Sequence, residues 1–258
     1  MIKLENYEVV GWEHAIRGMR NPMNSWEKSD SKFCVDYCDD CSNFSICNVN
    51  NEPYFKRFWE EDPTNTGYAI GPNDHQLMMK LANGGPVHAK YRRMITVYVD
   101  ITAPLYWWKE FDTYKVGTVA NSCSTMHKIH DKEFTLEDFS CEHLLGRDAA
   151  WEDTFDLLND DGVDSACCPT EFMKMTCGVL NFYRNKFIET KDKKYWWQMI
   201  QLLPSSYNQK RTVMLNYEVL VGIYKWRKDH KLDEWREFCK WIESLPYSEI
   251  ITGGKEDD

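Results

Sequence analysis

Residues 94–102 read MITVYVDIT, and this alternation constrains the fold more than any other stretch. Ile95, Val97, Val99 and Ile101 fall on one face, and Thr96, Tyr98, Asp100 and Thr102 on the other. A period of two predicts a strand with one face buried. Pro104 follows at a place where proline is tolerated, the first turn of a helix, because the N–H it lacks has no partner there anyway. LYWWKEFDTY then predicts a helix to about Tyr114. After it comes GTVANSCST, small and polar, which reads as a loop. A packing helix alone has no need of such a loop, whereas a small-molecule site does.

Around this unit the chain reads mostly helical. The N-terminus is extended through KLENYEVVG, followed by a short helix around Trp12–Met19. Asn73 or Asp74 is placed to cap a further helix that Gly84–Gly85 stop. Residues 133–166 are acidic and read as mixed helix and loop. From Thr170 onward, 170–190, 193–203, 210–228 and 232–245 read as helices. The last is clearest: Leu232, Trp235, Phe238, Cys239, Ile242 and Leu245 recur at helical spacing on one face. A strand unit followed by a helical half predicts an α+β fold rather than repeated βαβ units. We expect a single domain over 1–258.

The 258 residues suffice for a substantial core. Their formal charge is −10, so the long-range field repels nucleic acid and anionic membrane alike. No apolar run has transmembrane length, and MIKLENYEVV carries charges where an export signal needs apolar residues. This predicts a cytoplasmic protein whose ten cysteines are thiols or metal ligands. The segment 29–70 is poor in aliphatics and reads as an irregular insertion. Within it Cys34, Cys38, Cys41 and Cys47 have the spacing C-x3-C-x2-C-x5-C. Four thiolates so close together can enclose zinc tetrahedrally and supply the stabilisation that so few apolar residues cannot. The first three also match an iron–sulfur spacing, and the plain alternative is four unconnected thiols.

The run from Gly84 to His127 resembles the central segment of flavin-dependent thymidylate synthases. That family shows a Gly-His element, an alternating strand, an Ala-Pro turn, an aromatic helix and an Arg-His-Arg…Ser…Asn-Glu-x-Ser-x-Arg signature. Here His88 takes the histidine place, Ala103–Pro104 the turn, and Asn121, Ser122 and Ser124 the Asn-Glu-x-Ser places. Downstream, LPSSYNQKRTVMLNYEVLVGIYKWRKDHKLDEWREF resembles the Leu-Pro…Asn-x-Arg-x-Leu…Arg segment, with Asn216, Leu220 and Arg227 at its spacing and Arg236 in its last place. AIRGMRNPMNSW loosely matches the family's start. The matches are colinear over about two thirds of the chain.

The resemblance implies the thymidylate synthase complementing protein-like fold, an antiparallel sheet packed with helices. It implies a homotetramer that uses FAD, with folate and NADPH as co-substrates, to transfer one carbon to dUMP or a related pyrimidine nucleotide. In that reading His88 and Ser124 are catalytic. Lys115, Asn121, Ser122, Asn216 and Arg227 hold the cofactor, and Glu110, Ser124, Thr125 and Arg236 hold the substrate.

Each residue has a bland reading beside this one. Lys115 suits a helix end as a cation. Ser122 and Ser124 suit turns and caps. His88 suits the surface, Glu110 a pair on its own helix, and Trp107 and Trp108 a core or subunit contact. The chain also departs from the pattern. Thr113-Tyr114-Lys115 stands for Arg-His-Arg, Met126 for the closing arginine, and Glu218 for the arginine of Asn-x-Arg. A glutamate facing a phosphate would repel it. Two other readings therefore stand beside the enzyme: a non-catalytic nucleotide-binding protein on the same fold, and a zinc-containing interaction protein.

Overall fold

The computed structural model describes residues 1–33, 68–148, 150, 153–157 and 165–253. The four clustered cysteines, Cys34 to Cys47, and most of the predicted insertion lie outside the described residues. Along the chain run β1 (Lys3–Val10), α1 (Trp12–Arg20), β2 (Lys32–Phe33), β3 (Tyr68–Ala69), α2 (Pro72–Asn83), β4 (Thr96–Pro104) and α3 (Leu105–Phe111). Then come β5 (Thr118–Ser122), α4 (Thr125–Lys128), β6 (Phe155–Leu157), β7 (Ser165–Cys167), α5 (Pro169–Thr190) and α6 (Lys193–Leu202). The chain closes with β8 (Asn208–Asn216), α7 (Tyr217–Arg227), α8 (Asp233–Glu243) and α9 (Glu249–Thr252). One sheet has four strands in the order β1-β4-β8-β5. β2 with β3, and β6 with β7, form two small antiparallel ladders. The α+β expectation is borne out.

β4 behaves as its alternation dictates. Val97, Val99 and Ile101 are buried, while Thr96, Tyr98, Asp100 and Thr102 keep solvent contact. The strand continues to Pro104, because Ala103 and Pro104 are buried in extended backbone too. Pro104 therefore caps α3 instead of opening its first turn. The free N–H groups of Leu105 and Tyr106 donate to the Tyr207 and Ser205 carbonyls at 3.0 Å. The helix ends at Phe111 rather than Tyr114, where Thr113 closes back on the Glu110 carbonyl through both its N–H and its hydroxyl.

Two elements differ in kind from the sequence reading. The GTVANSCST stretch holds an edge strand, β5, rather than a loop. An edge strand whose residues face water needs no apolar alternation, so nothing in its sequence marks it. Residues 210–216, read as the start of a helix over 210–228, belong instead to the interior strand β8. Gln209, Val213 and Leu215 are buried at a period of two, but Lys210-Arg211-Thr212 in the middle hides that period.

The described residues gather into two compact units. The first comprises Met1–Lys3, Ile101–Thr113 and Asn121–Thr212. Its core is built where α5 lays Met173, Cys177 and Leu180 beside Met199 of α6, closed by Ile129, Phe134 and Phe139. Asn181 of α5 clips the Phe134 backbone, accepting from its N–H and donating to its carbonyl, both at 2.8 Å. In the same unit Trp107, Trp108 and Phe111 are fully buried; Trp107 stacks on Phe111 at 5.0 Å, and Trp108 meets both rings edge-on at 4.9 and 5.3 Å.

The second unit comprises Leu4–Asp100, Tyr114–Ala120 and Val213–Asp258. Trp12 packs edge-on against Tyr217 and Tyr247, and the Tyr217 hydroxyl donates to the Pro246 carbonyl at 2.6 Å. α1 begins after Gly11, whose φ is +95° and where a Cβ would stand 2.1 Å from the Met94 carbonyl oxygen, so only glycine fits. α2 is not capped by Asn73 or Asp74. Asp30 accepts from both of their N–H groups instead. Asp74 is wholly buried and accepts from Arg20 Nε at 2.6 Å, from the Ser29 and Ser31 hydroxyls, and from two backbone N–H groups. Burial by itself would raise this carboxyl. The bonds from Ser31, Ser29 and Arg20 outweigh it and hold the group below the ordinary aspartate range.

Candidate functional site

In the second unit the end of β8 organises a polar cluster. Asn216 leaves the strand in extended conformation, and its Oδ1 accepts from the Val219 N–H at 3.1 Å, capping α7. Its amide nitrogen faces Gly117. A Cβ at Gly117 would lie 2.9 Å from Asn216 Nδ2 and 3.1 Å from Val219 Cγ2, and φ there is +79°. The glycine thus leaves a gap above the Asn216 amide that any other residue would fill. At the far end of α7, Arg227 Nε donates to the Tyr114 hydroxyl at 3.0 Å. The same guanidinium lies 4.7 Å over the Trp235 ring and 5.8 Å over Tyr114. Asn216 and Arg227 stand eleven residues apart on one face of α7, about three helical turns. Tyr114 and Gly117 reach that face from one short segment, with exposed Lys115 between them.

In the first unit a second polar run follows β5. Asn121 and Ser122 are exposed at its end, and the Cys123 N–H donates to the Lys210 carbonyl at 2.9 Å. Ser124 caps α4 by accepting from the His127 N–H at 3.1 Å, and Thr125 follows half-buried. Gln209 ties this run down by donating to the Cys123 carbonyl. Arg211 donates to Gln209 Oε1 at 3.0 Å and Asp112 Oδ1 at 2.7 Å while stacking 4.1 Å over Trp108. Trp108 in turn donates to the Gln209 carbonyl. Glu110 lies half-buried in the last turn of α3.

No family model matches the sequence, and no curated protein matches it. Solved structures do. Thymidylate synthase X from Helicobacter pylori, with FAD and dUMP, aligns over 98% of this chain and 96% of its own, with 14% identity and a TM-score of 0.56. A second structure of the flavin-dependent enzyme from that organism, complexed with FAD and dUMP, aligns over 97% and 96%, with 13% identity and a TM-score of 0.55. The chain has the flavin-dependent thymidylate synthase fold.

On that fold the residues at the signature places are distributed as follows. Asn216, Arg227 and the segment carrying Lys115 come together in the second unit. Asn121, Ser122, Ser124 and Thr125 form one continuous run in the first, with Glu110 on α3 of the same unit. His88 is exposed in the turn after α2, its ring against Gly84. Arg236 donates to the His230 and Lys231 carbonyls at 2.7 and 3.2 Å and pairs with Asp233, which ties it to the turn before α8. Glu218 is not a bare negative charge. Its Oε2 lies 2.9 Å from Nε of the buried Arg92, so the expected repulsion of a phosphate is largely cancelled within the protein. Among the described residues no group of three or more histidines, cysteines or acids is placed to hold a metal ion. No helix there is long and apolar enough to cross a membrane.

Sequence reading missed Tyr114, Gly117 and Trp235 as site residues. In the sequence Tyr114 reads only as a lost histidine, and Trp235 only as core. The one available signal for Gly117 was a glycine shortly after a helix end, where positive φ is common.

Proposed function

We propose that this chain is a flavin-dependent thymidylate synthase-like protein that binds a pyrimidine nucleotide, dUMP or a relative, together with FAD. The observation that carries the reading is the cluster of Asn216, Gly117, Tyr114 and Arg227 on a fold matched over almost the whole chain. Its donor set fits a flavin nucleotide. The gap at Gly117 exposes an amide edge, Arg227 holds a cation against two aromatic faces, and Lys115 adds a second cation. FAD, when bound, supplies the hydride chemistry. The chain's own residues bind and orient: Lys115 and Arg227 the phosphates, Asn216 a carbonyl or hydroxyl edge, and Ser122, Ser124 and Thr125 the substrate's polar groups. Folate and NADPH complete the reaction the resemblance implies. A homotetramer would cover the exposed stripe Phe172, Met175, Val179 and Phe182 of α5.

The missing arginines favour a second reading, a nucleotide-binding protein on this fold without flavin chemistry. Thr113 and Met126 supply no charge where the family has cations. An absorption spectrum of the purified chain, before and after incubation with FAD, separates the two. The expected result is a flavin band whose chromophore is released on heating and weighs as FAD. No band after incubation, with dUMP still bound in equilibrium dialysis, supports the second reading. Neither ligand binding refutes both.

A further inference from the structure

α7 has a second polar face. Asn216, Leu220, Ile223 and Arg227 point one way, whereas Val221, Tyr224, Lys225 and Lys228 point about a third of a turn away. On that second side lies a pocket of about 410 Å³ within the second unit. Val221 and Ile250 give it apolar walls, Thr252 a hydroxyl, and Arg92, Lys225 and Lys228 three cations. It shares no lining residue with the Asn216–Arg227 cluster. None of the described residues lining it is acidic, in a chain whose formal charge is −10.

Arg92 is built in rather than adrift. It is only 5% exposed, its Nη1 donates to the Ile250 carbonyl at 3.0 Å, and its Nε lies 2.9 Å from Glu218 Oε2 as an ion pair whose N–H is not aligned for a hydrogen bond. Neither contact uses Nη2. Glu218 balances one of the three cations and lies outside the lining. The two lysines leave the lining itself positive, set against Glu243 just outside it, whose carboxylate accepts from the lining Tyr224 hydroxyl at 2.7 Å, and a positive lining of this kind suits a phosphate. The volume falls in the range of sites for small organic ligands, about 300–1,000 Å³.

We propose that this pocket binds a phosphorylated small molecule with an apolar or aromatic body, its phosphate between Lys225, Lys228 and Arg92 and its body against Val221 and Ile250. It is a second ligand site, independent of the nucleotide reading above.

The test is calorimetric titration of the intact chain with 1-naphthyl phosphate. Wild type binds it. The double variant Lys225→Ala/Lys228→Ala weakens binding about tenfold or more, because both substitutions sit on the surface and remove phosphate contacts without touching the core. Val221→Trp fills the pocket and abolishes binding, while Arg227→Ala leaves it unchanged. Four results would overturn the proposal. One is no binding by wild type, and another is equal binding by the lysine variant. The third is loss of binding in Arg227→Ala alone, which places the probe in the other cluster. Inorganic phosphate binding as tightly as the naphthyl ester would equally refute the apolar half of the site.

Discussion

Gly117→Ala tests how far the Asn216 cluster depends on one missing side chain. The new Cβ would stand 2.9 Å from Asn216 Nδ2 and 3.1 Å from Val219 Cγ2, at a φ of +79°. Left-handed backbone costs a non-glycine residue about 1–2 kcal/mol. The side chain that must give way is the Asn216 amide, whose oxygen caps α7, and losing such a cap costs about 1 kcal/mol. The two together predict about 2–3 kcal/mol of destabilisation in urea unfolding. Asn216→Asp is the complementary change. It keeps the capping oxygen, places a negative charge at a helix N-terminus, and removes the amide donor. Its stability should stay within about 0.5 kcal/mol of wild type, while FAD or dUMP binding weakens about tenfold for one lost bond to a charged or strongly polar group. The reasoning fails if Gly117→Ala unfolds like wild type, or if Asn216→Asp binds both ligands undiminished.

Two further perturbations probe the rest of the molecule. Asp74→Asn breaks the buried pair with Arg20 and should cost about 3–5 kcal/mol at neutral pH. Because the folded carboxyl is held below its unfolded value, its contribution is complete above the unfolded pKa and lost as pH falls through the folded one. The stability gap between wild type and variant should therefore close in acid, and a gap independent of pH contradicts the assignment. Arg211→Lys keeps the charge but loses the flat stack on Trp108 and the fork shared by Gln209 and Asp112. We expect about 1 kcal/mol of destabilisation and altered tryptophan fluorescence, and an unchanged spectrum would show the stack to be idle.

Much of this was legible in the chain. MITVYVDIT announced its strand because a face buried along its whole length imposes a period of two. DEWREFCKWIE announced α8 because one stripe of the helix faces a core. Asn216 and Arg227 were legible through their match to the family's spacing, and α7 then sets both on one side. Other features were not legible because their causes lie outside the local sequence. β5 is a strand only because β8 offers it an edge to pair with, and its own exposed residues carry no pattern. β8 hid behind Lys210-Arg211-Thr212, whose charges are tolerated because Arg211 finds Trp108, Gln209 and Asp112. Glu218 looked like a charge that would repel a phosphate until Arg92, distant in sequence, stood beside it. Asp74 looked like a helix cap until Ser29, Ser31 and Arg20 claimed its carboxylate. The sequence by itself determined which segments bury a face, since burial leaves a period in the residues that undergo it. Only the tertiary structure decided which polar groups meet, because a buried charge is tolerated by virtue of its partner, and the partner's position is a property of the fold.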